Sequence, residues 1–215
     1  MILLLTMVMG LMPAVQISAA SDSSAAGVVV DSFAANGMTF SLTEDSRIFV
    51  VSTTEPFGEV LQAVQLIQSQ FAADKRPSAT PMPIAWGPED WVTDGDIVIR
   101  QDTASEISAE AYRLNVTTVA EVSFGDVRGL IYGANMLLKH LRNANSNSIL
   151  GFVAADAPDT KQRAVSLDCG RKYYSKNWIC NFIREMSWMG YNTLQLHFSE
   201  DGGYRADLWD ENYYV

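Results

Sequence analysis

A strand–helix–strand pattern towards the end of the chain most constrains its fold. Ala164–Leu167 is a short apolar strand, and Ser175 is a suitable cap for a helix over Lys176–Met189. Asn192–Phe198 then alternates apolar and polar residues, as a half-buried strand does. Two strands joined by a helix within about thirty-five residues predict a βαβ unit with parallel strands. In such units the loops after the carboxyl ends of the strands form the functional face.

Charged side chains follow both of these strands. Asp168 and Arg171 come after the first strand, and Glu200 and Asp201 come after the second. Because neighbouring parallel strands end at the same edge of a sheet, Arg171 and Glu200 are expected to lie close together. One interpretation is a structural ion pair beside a solvated acidic loop. The other is a binding site, since a guanidinium held by a carboxylate can bind vicinal sugar hydroxyls with its remaining donors.

The preceding part of the chain predicts an α+β domain. Helices are expected over Phe57–Ala73 and from an N-cap at Asp126 to about Leu141, each with one apolar stripe. Short segments rich in β-branched and aromatic residues predict strands at Gly27–Phe33, Met38–Leu42, Arg47–Ser52, Asp96–Arg100, Ala111–Val116 and Val119–Phe124. The sequence therefore predicts a sheet with helices on one face, over residues 27–158.

Three segments are expected to be irregular. Asp74–Pro88 contains four prolines and predicts a loop. Asn143–Ser148 and Ala154–Thr160 are expected to be polar connectors, the second of which marks a domain boundary.

The few histidine and cysteine residues do not predict a metal site. They are scattered along the chain, without the spacing of metal ligands. Cys169 and Cys180 are expected to be buried thiols rather than a disulfide. His140 is expected on the surface near a helix C-terminus, where a cation suits the helix dipole.

The first twenty residues predict a secretory signal peptide. Ile2–Val15 is a short apolar run, and the small residues Ser18–Ala20 resemble a cleavage site. The mature protein is therefore expected to be secreted or extracytoplasmic. No other run reaches about 18 apolar residues, so no membrane span is expected in it.

The charge of the chain limits its partners. The formal net charge is −10, and no basic cluster is present. Nucleic acids and anionic membrane surfaces are therefore not expected as partners, whereas a neutral substrate fits this balance.

The segment RAVSLDCGRKYYSKNWICNFIREMSWMGYNTLQLHFSEDGGYR resembles the opening of the catalytic barrel of glycoside hydrolase family 20, the β-N-acetylhexosaminidases. Its first strand matches the family motif LD-x-x-R, and its second matches a strand that ends in HLHxSDD and an aromatic residue. The matching residues are Leu167, Asp168, Arg171, Lys172 and Tyr173 in the first motif, and Leu196, His197, Ser199, Asp201 and Tyr204 in the second. Glu110–Val116 and Gly129–Leu141 resemble the domain that precedes the barrel.

The resemblance implies a fold and a reaction. Residues 161–215 would begin a (β/α)8 TIM barrel, and the substrate would be a glycan with β-linked GlcNAc or GalNAc. The family mechanism retains anomeric configuration, because the substrate's own acetamido oxygen attacks the anomeric carbon. It implies no cofactor and no metal.

Two residues of this sequence match the substrate-binding positions of the family. Arg171 would hold the 3- and 4-hydroxyls of the terminal N-acetyl sugar. Glu200 stands where most members have Asp and would support the same subsite. A Glu in this context resembles the lacto-N-biosidase branch, which releases the disaccharide Gal-β1,3-GlcNAc. His197 is expected to pack within the barrel rather than to take part in the chemistry.

No catalytic residue is assigned in this sequence. The family's acetamide-orienting Asp and general-acid Glu follow the fourth barrel strand, whereas Glu200 and Asp201 follow the second. The chain is therefore expected to be an N-terminal fragment without hydrolase activity of its own. The segment after about residue 160 is expected to be unstable in isolation, because its strands lack neighbours.

Two alternatives remain open at this point. The chain can be a non-catalytic carbohydrate-binding or scaffolding protein that keeps Arg171 but lacks the acid. The N-terminal domain can also bind polysaccharide through Trp86 and Trp91, although tryptophan in a Pro-rich loop more often packs against its own fold.

Overall fold

The computed structural model describes residues 32–78, 80–102, 104, 106–201 and 203–204. The chain divides between Ala157 and Pro158 into two compact units, here called the N-terminal and C-terminal units. The expected signal peptide over residues 1–20 lies outside the described residues, as do residues 27–31 of the first predicted strand and residues 205–215.

A seven-stranded mixed sheet forms the base of the N-terminal unit. In chain order its strands are β1 (Ser32–Ser41), β2 (Ile48–Val51), β3 (Ile84–Gly87), β4 (Ile97–Gln101), β5 (Tyr112–Val116), β6 (Ala120–Phe124) and β7 (Ser148–Asp156). Their spatial order is β1-β7-β5-β6-β4-β2-β3. Strands β3, β2, β4 and β6 run parallel, whereas β5 pairs antiparallel with β6 and β7, and β1 pairs antiparallel with β7.

Two helices cover one face of this sheet. Helix α1 spans Gly58–Ala73 and helix α2 spans Val127–Ala144. The two helices contact each other, and α2 also contacts β5, β6 and β7. The α+β architecture predicted for this part of the chain is therefore confirmed.

The core of the N-terminal unit lies between the helices and the sheet. The apolar stripe predicted for α2, which includes Leu130, Leu137 and Leu141, is fully buried. Helix α2 starts at Asp126, whose side chain accepts hydrogen bonds from the backbone N–H groups of Arg128 and Gly129. A Cβ atom on Gly129 would collide with the backbone carbonyl of Ala111, directly before β5. Glycine at this position therefore allows α2 to pack close to the sheet.

Two strands of the sheet are absent from the sequence prediction. β3 lies inside Asp74–Pro88, which was expected to be a loop because of its prolines. It is an edge strand, and edge strands tolerate proline at their ends; the carbonyl of Pro83 accepts a hydrogen bond from Ile48 N–H. The other missing strand, β7, includes Ser148 and Ala154–Asp156, which the sequence assigned to polar connectors.

The first strand also differs from its prediction. Two strands separated near Ala34–Gly37 were expected, but the structure contains one strand, β1, over Ser32–Ser41. The register with β7 shifts between Ala35 and Thr39, and Gly37 has a positive φ of 76°. The expected break is therefore an irregularity within a continuous strand.

The C-terminal unit contains the predicted strand–helix–strand pattern. Strand β8 (Ala164–Asp168) pairs in parallel with β9 (Thr193–His197), and helix α3 (Lys176–Trp188) connects them. Ser175 caps α3 by accepting a hydrogen bond from Trp178 N–H. Two short strands, β10 (Ser199–Glu200) and β11 (Gly203–Tyr204), then form an antiparallel pair.

His140 does not lie on the surface as expected. Its ring stacks on Phe33 at a centroid distance of 5.9 Å and packs against Phe152 at 4.4 Å. Burial lowers the pKa of His140 to about 4. The neutral ring of His140 therefore packs between α2 and the edge of the sheet.

Neither Cys169 nor Cys180 forms a disulfide. Cys169 is buried and Cys180 is half-buried, whereas burial was expected for both.

Among the helices of the described residues, none has the length and apolar character needed to cross a membrane.

Candidate functional site

The carboxyl ends of β8 and β9 bring Arg171 and Glu200 together. The parallel register aligns Asp168 with His197, so the two loops that follow start side by side. Arg171 Nη2 lies 2.6 Å from Glu200 Oε1, which is the distance of a charge-assisted hydrogen bond. The proximity expected from the sequence is therefore present in the structure.

The backbone of the β8–α3 loop is tied to the end of β9. The N–H groups of Cys169 and Gly170 both donate to the carbonyl oxygen of His197, at 2.8 and 2.9 Å. A Cβ atom on Gly170 would lie only 3.2 Å from Glu200 N, so a larger residue would push the two loops apart. Sequence reasoning did not single out Gly170, although a glycine directly before Arg171 at a strand end was a usable signal.

Asp168 orients Arg171 from the other side. Its Oδ1 atom accepts the Arg171 backbone N–H at 3.0 Å, and its Oδ2 atom lies 3.4 Å from Arg171 Nη1. The backbone hydrogen bond from Arg171 keeps the pKa of Asp168 below its ordinary value. The carboxylate therefore stays ionised at neutral pH and supports the cationic side chain.

His197 contributes to the site through Glu200. Its Nε2 atom lies 3.0 Å from Glu200 Oε1, the same oxygen that contacts Arg171. The side chain of His197 is 42% exposed in the described part of the chain, and its packing within a barrel stays a prediction. One carboxylate oxygen is thus held between a guanidinium and an imidazole.

This arrangement can bind hydroxyl groups. The side chain of Arg171 is 69% exposed, so its fork of N–H donors is accessible to solvent. The flanking carboxylates of Asp168 and Glu200 offer acceptors next to those donors. Donors and acceptors placed this way match vicinal hydroxyls, each of which both donates and accepts. Asp201 is exposed beside this group, and Gly202 lies outside the described residues.

Comparison with protein families assigns both units. Residues 29–157 match the family model "Glycosyl hydrolase family 20, domain 2". The chain belongs to glycosyl hydrolase family 20. Residues 161–211 match the model "Glycosyl hydrolase family 20, catalytic domain", so Arg171 and Glu200 lie in the part that is similar to a family 20 catalytic domain.

Curated relatives are hexosaminidases and a chitobiase. A beta-hexosaminidase of Vibrio furnissii is 27% identical over 125 residues, which are 57% of this chain and 20% of the relative. An N,N'-diacetylchitobiase of Vibrio harveyi is 28% identical over 83 residues, which are 39% of this chain and 9% of the relative. The family 20 chain therefore spans about a fifth or less of the curated relatives that it matches.

Solved structures support the fold. A beta-N-acetylhexosaminidase from Bacteroides fragilis has a TM-score of 0.66 at 21% identity, covering 86% of this chain and 35% of its own. A GH20 exo beta-N-acetylglucosaminidase from Vibrio harveyi, solved in complex with N-acetylglucosamine, has a TM-score of 0.67 at 16% identity. The match covers 88% of this chain and 28% of the Vibrio harveyi chain. At these identities the likeness concerns the fold, and substrate binding by Arg171 and Glu200 stays a prediction.

Within the described residues, no group of three or more His, Cys, Asp and Glu side chains is arranged to hold a metal ion.

Proposed function

We propose that this family 20 chain forms part of a glycosidase that acts on β-linked N-acetylhexosaminides in glycans. The observation that carries the proposal is the exposed Arg171–Glu200 pair at the ends of two parallel strands. The C-terminal unit would be the first βαβ part of a TIM barrel, in which residues at these strand ends face the substrate.

In this proposal Arg171 binds the 4-hydroxyl of the N-acetyl sugar, and also its 3-hydroxyl where no second sugar is attached at that position. Glu200 holds the guanidinium in place, and His197 fixes the carboxylate through the same oxygen. Cleavage would retain anomeric configuration through attack by the substrate's own acetamido group. No residue of this sequence is assigned as the general acid, so the 215-residue chain by itself is proposed to lack hydrolase activity.

Glu200 suggests a subclass within the proposed function. Its side chain is one methylene longer than the Asp of most family members, so its carboxylate reaches further from the backbone. We propose the lacto-N-biosidase branch, whose members release Gal-β1,3-GlcNAc, and we propose export of the protein through the signal peptide expected at its N-terminus.

The proposed role of Arg171 is tested in the complete gene product with 4-nitrophenyl N-acetyl-β-glucosaminide and with a 4-nitrophenyl glycoside of Gal-β1,3-GlcNAc. Arg171→Ala removes two hydrogen bonds from a charged donor, so kcat/KM on the preferred substrate is expected to fall about 100-fold. Arg184→Ala is the matched control, because Arg184 is an exposed arginine of α3 whose side chain donates a hydrogen bond to Asn181 of the same helix.

Four outcomes would overturn parts of the proposal. Unchanged kcat/KM for Arg171→Ala would remove the binding role of this residue. Faster cleavage of the monosaccharide glycoside than of the disaccharide glycoside would remove the lacto-N-biosidase assignment. Hydrolysis of either substrate by the purified 215-residue chain would show that a catalytic acid lies within it. Binding without hydrolysis by the complete gene product would favour the non-catalytic alternative.

A further inference from the structure

A second concave site lies in the N-terminal unit. A cavity of about 610 Å³ opens where β2, β4 and β6 reach their carboxyl ends and where α1 and α2 begin. Ligands of sheets with parallel strands commonly bind in the crevice at this edge. The volume also falls in the range of small-molecule sites, about 300–1,000 Å³.

The lining combines an apolar floor with polar walls. The floor contains the buried side chains Val50, Ile99 and Phe124. The walls carry hydroxyl and amide groups, which belong to Ser52, Thr53, Thr54 and Gln101. Such a mixture is typical of sites that orient a ligand with a few polar groups over an apolar surface.

Phe57 at the rim of the cavity breaks a local rule of helix formation. It is the N-cap of α1, where Ser, Thr, Asp or Asn is preferred, and it makes no side-chain capping hydrogen bond. Its ring is 80% exposed, so it does not contribute to the core either. Gly58 follows with a positive φ of 59°. Residues that break local rules without a structural gain are expected at functional sites.

The charge of the lining selects the kind of ligand. Glu55 and Glu59 are exposed at the rim, and none of the described lining residues is lysine or arginine. Burial alone would raise the pKa of Asp126, but hydrogen bonds from Arg128 and Gly129 outweigh it and hold the pKa below its ordinary value. Asp126 is paired with Arg128, so the carboxylates of Glu55 and Glu59 are the ones that face an anion, and the site disfavours phosphates although two helix N-termini meet there.

We propose that this cavity is a binding site for a neutral saccharide. The exposed ring of Phe57 would stack on the C–H face of a sugar ring, because the negative π-face attracts weakly positive C–H groups. Gln101 and the hydroxyls of Ser52–Thr54 would bond the sugar hydroxyls, and Glu55 would accept from them. The ligand class follows from this lining alone and does not depend on the proposed hydrolase activity.

The exposed tryptophans fit this role less well. Trp91 packs over Gly87, where its ring leaves no room for a Cβ atom, and neither Trp91 nor Trp86 lines the cavity. For saccharide binding at this cavity, Phe57 is therefore the proposed aromatic contact in place of Trp86 and Trp91.

The proposal is tested by titrating the full ¹⁵N-labelled chain with N,N',N''-triacetylchitotriose and, separately, with cellotriose. We expect at least one of these neutral trisaccharides to shift the amide signals of Gly58, Val60 and Val127 at the cavity. Phe57→Ala is expected to weaken that binding about five- to tenfold, whereas Phe57→Tyr keeps the ring and the affinity. Phe57 is exposed, so neither change should unfold the chain.

Two further variants separate this site from other sites. Trp91→Ala and Arg171→Ala are both expected to leave the titration at the cavity unchanged. Loss of binding in Trp91→Ala but not in Phe57→Ala, shifts that vanish only in Arg171→Ala, or no shifts with either trisaccharide would each overturn the proposal. The experiment measures binding at the cavity, so its result does not depend on whether the complete gene product hydrolyses glycosides.

Discussion

Helices α2 and α3 both follow a strand, yet the two units of the chain bury them very differently. Helix α2 places Leu130, Leu137 and Leu141 in a core that excludes water completely, whereas α3 buries one residue, Met186. Strand β9 has no buried residue among its five. Seven strands can bury one face of two helices, but in β8, β9 and α3 most apolar side chains stay partly exposed. The N-terminal unit therefore has a core of its own, and the C-terminal unit is expected to be less stable by itself.

The ion pairs of the two units differ in the same way. Asp96 in the N-terminal unit is completely buried, and its carboxylate accepts from Arg47 and from the Thr93 N–H and hydroxyl. Burial would raise the pKa of Asp96, but these hydrogen bonds outweigh it and lower the pKa. In the Arg171–Glu200 pair, by contrast, the arginine is exposed and the carboxylate is half-buried. The hydrogen-bonding capacity of Asp96 is used within the fold, so that pair stabilises the structure. The accessible N–H donors of Arg171 remain available to a ligand.

The largest expected difference between the units is in protease resistance. Trypsin is expected to cleave first after Lys172, Lys176 and Arg184 in the C-terminal unit. Few buried contacts are lost when this unit opens locally, so the opening costs little free energy. A fragment that ends at Lys172, or at Lys161 after further trimming, is expected to persist, as mass spectrometry of the digest would show. First cleavage after Arg100 or Arg113, in the strands of the N-terminal sheet, would reverse the comparison.

Truncating a core residue is expected to have the next largest effect. Leu114 on β5 is completely buried, so Leu114→Ala is expected to lower the free energy of unfolding by about 2–5 kcal/mol. Ile183 on α3 is 47% exposed, and Ile183→Ala is expected to change it by less than about 0.5 kcal/mol. Urea denaturation followed by circular dichroism measures both. Equal losses would mean that the C-terminal unit is packed as well as the N-terminal unit.

His140 is expected to make the N-terminal unit sensitive to acid. Its pKa is about 4 in the folded state and about 6.5 when unfolded, so the unfolded chain binds the proton more tightly. The contribution of His140 to the free energy of unfolding is therefore fully present above about pH 6.5. It is lost as the pH drops from 6.5 to 4, which lowers the free energy of unfolding by about 3 kcal/mol. Urea denaturation at several pH values measures this loss.

The matched variant for this measurement is His140→Phe, which keeps a ring between Phe33 and Phe152 but cannot bind a proton. Its stability is expected to fall less than that of the wild type over the same pH range. Identical pH profiles for the two proteins would contradict burial of a neutral His140.

Removing helix caps is expected to have the smallest effect. Asp126→Ala takes away two hydrogen bonds at the start of α2 and is expected to destabilise the N-terminal unit by about 1 kcal/mol. Ser175→Ala removes the cap of α3 and is expected to leave the denaturation midpoint of the N-terminal unit unchanged. A shift of that midpoint in Ser175→Ala would show that the two units unfold together.

The helices and the paired loops could be predicted because their signals are local. The apolar stripe and the cap at Asp126 or Ser175 define a helix within one stretch of sequence. The approach of Arg171 to Glu200 follows from one rule, that neighbouring parallel strands end at the same edge.

The features that escaped prediction depend on distant partners. β3 becomes a strand because it pairs with β2, and its prolines hide that tendency. His140 is half-buried because Phe152 on β7 and Phe33 on β1 pack against its ring, which no helical periodicity reveals. The cavity beside Phe57 is lined by three strand ends and two helix starts, so no single segment indicates it.

The place of β7 has a consequence for synthesis on the ribosome. β7 is the last strand of its sheet to be made, yet it lies between β1 and β5. The hydroxyls of Ser41 and Ser148, 107 residues apart in sequence, meet across β1 and β7. The first strand to emerge must therefore stay without its partner until nearly the whole N-terminal unit has been translated. During that interval β1 presents an open edge to any other nascent chain.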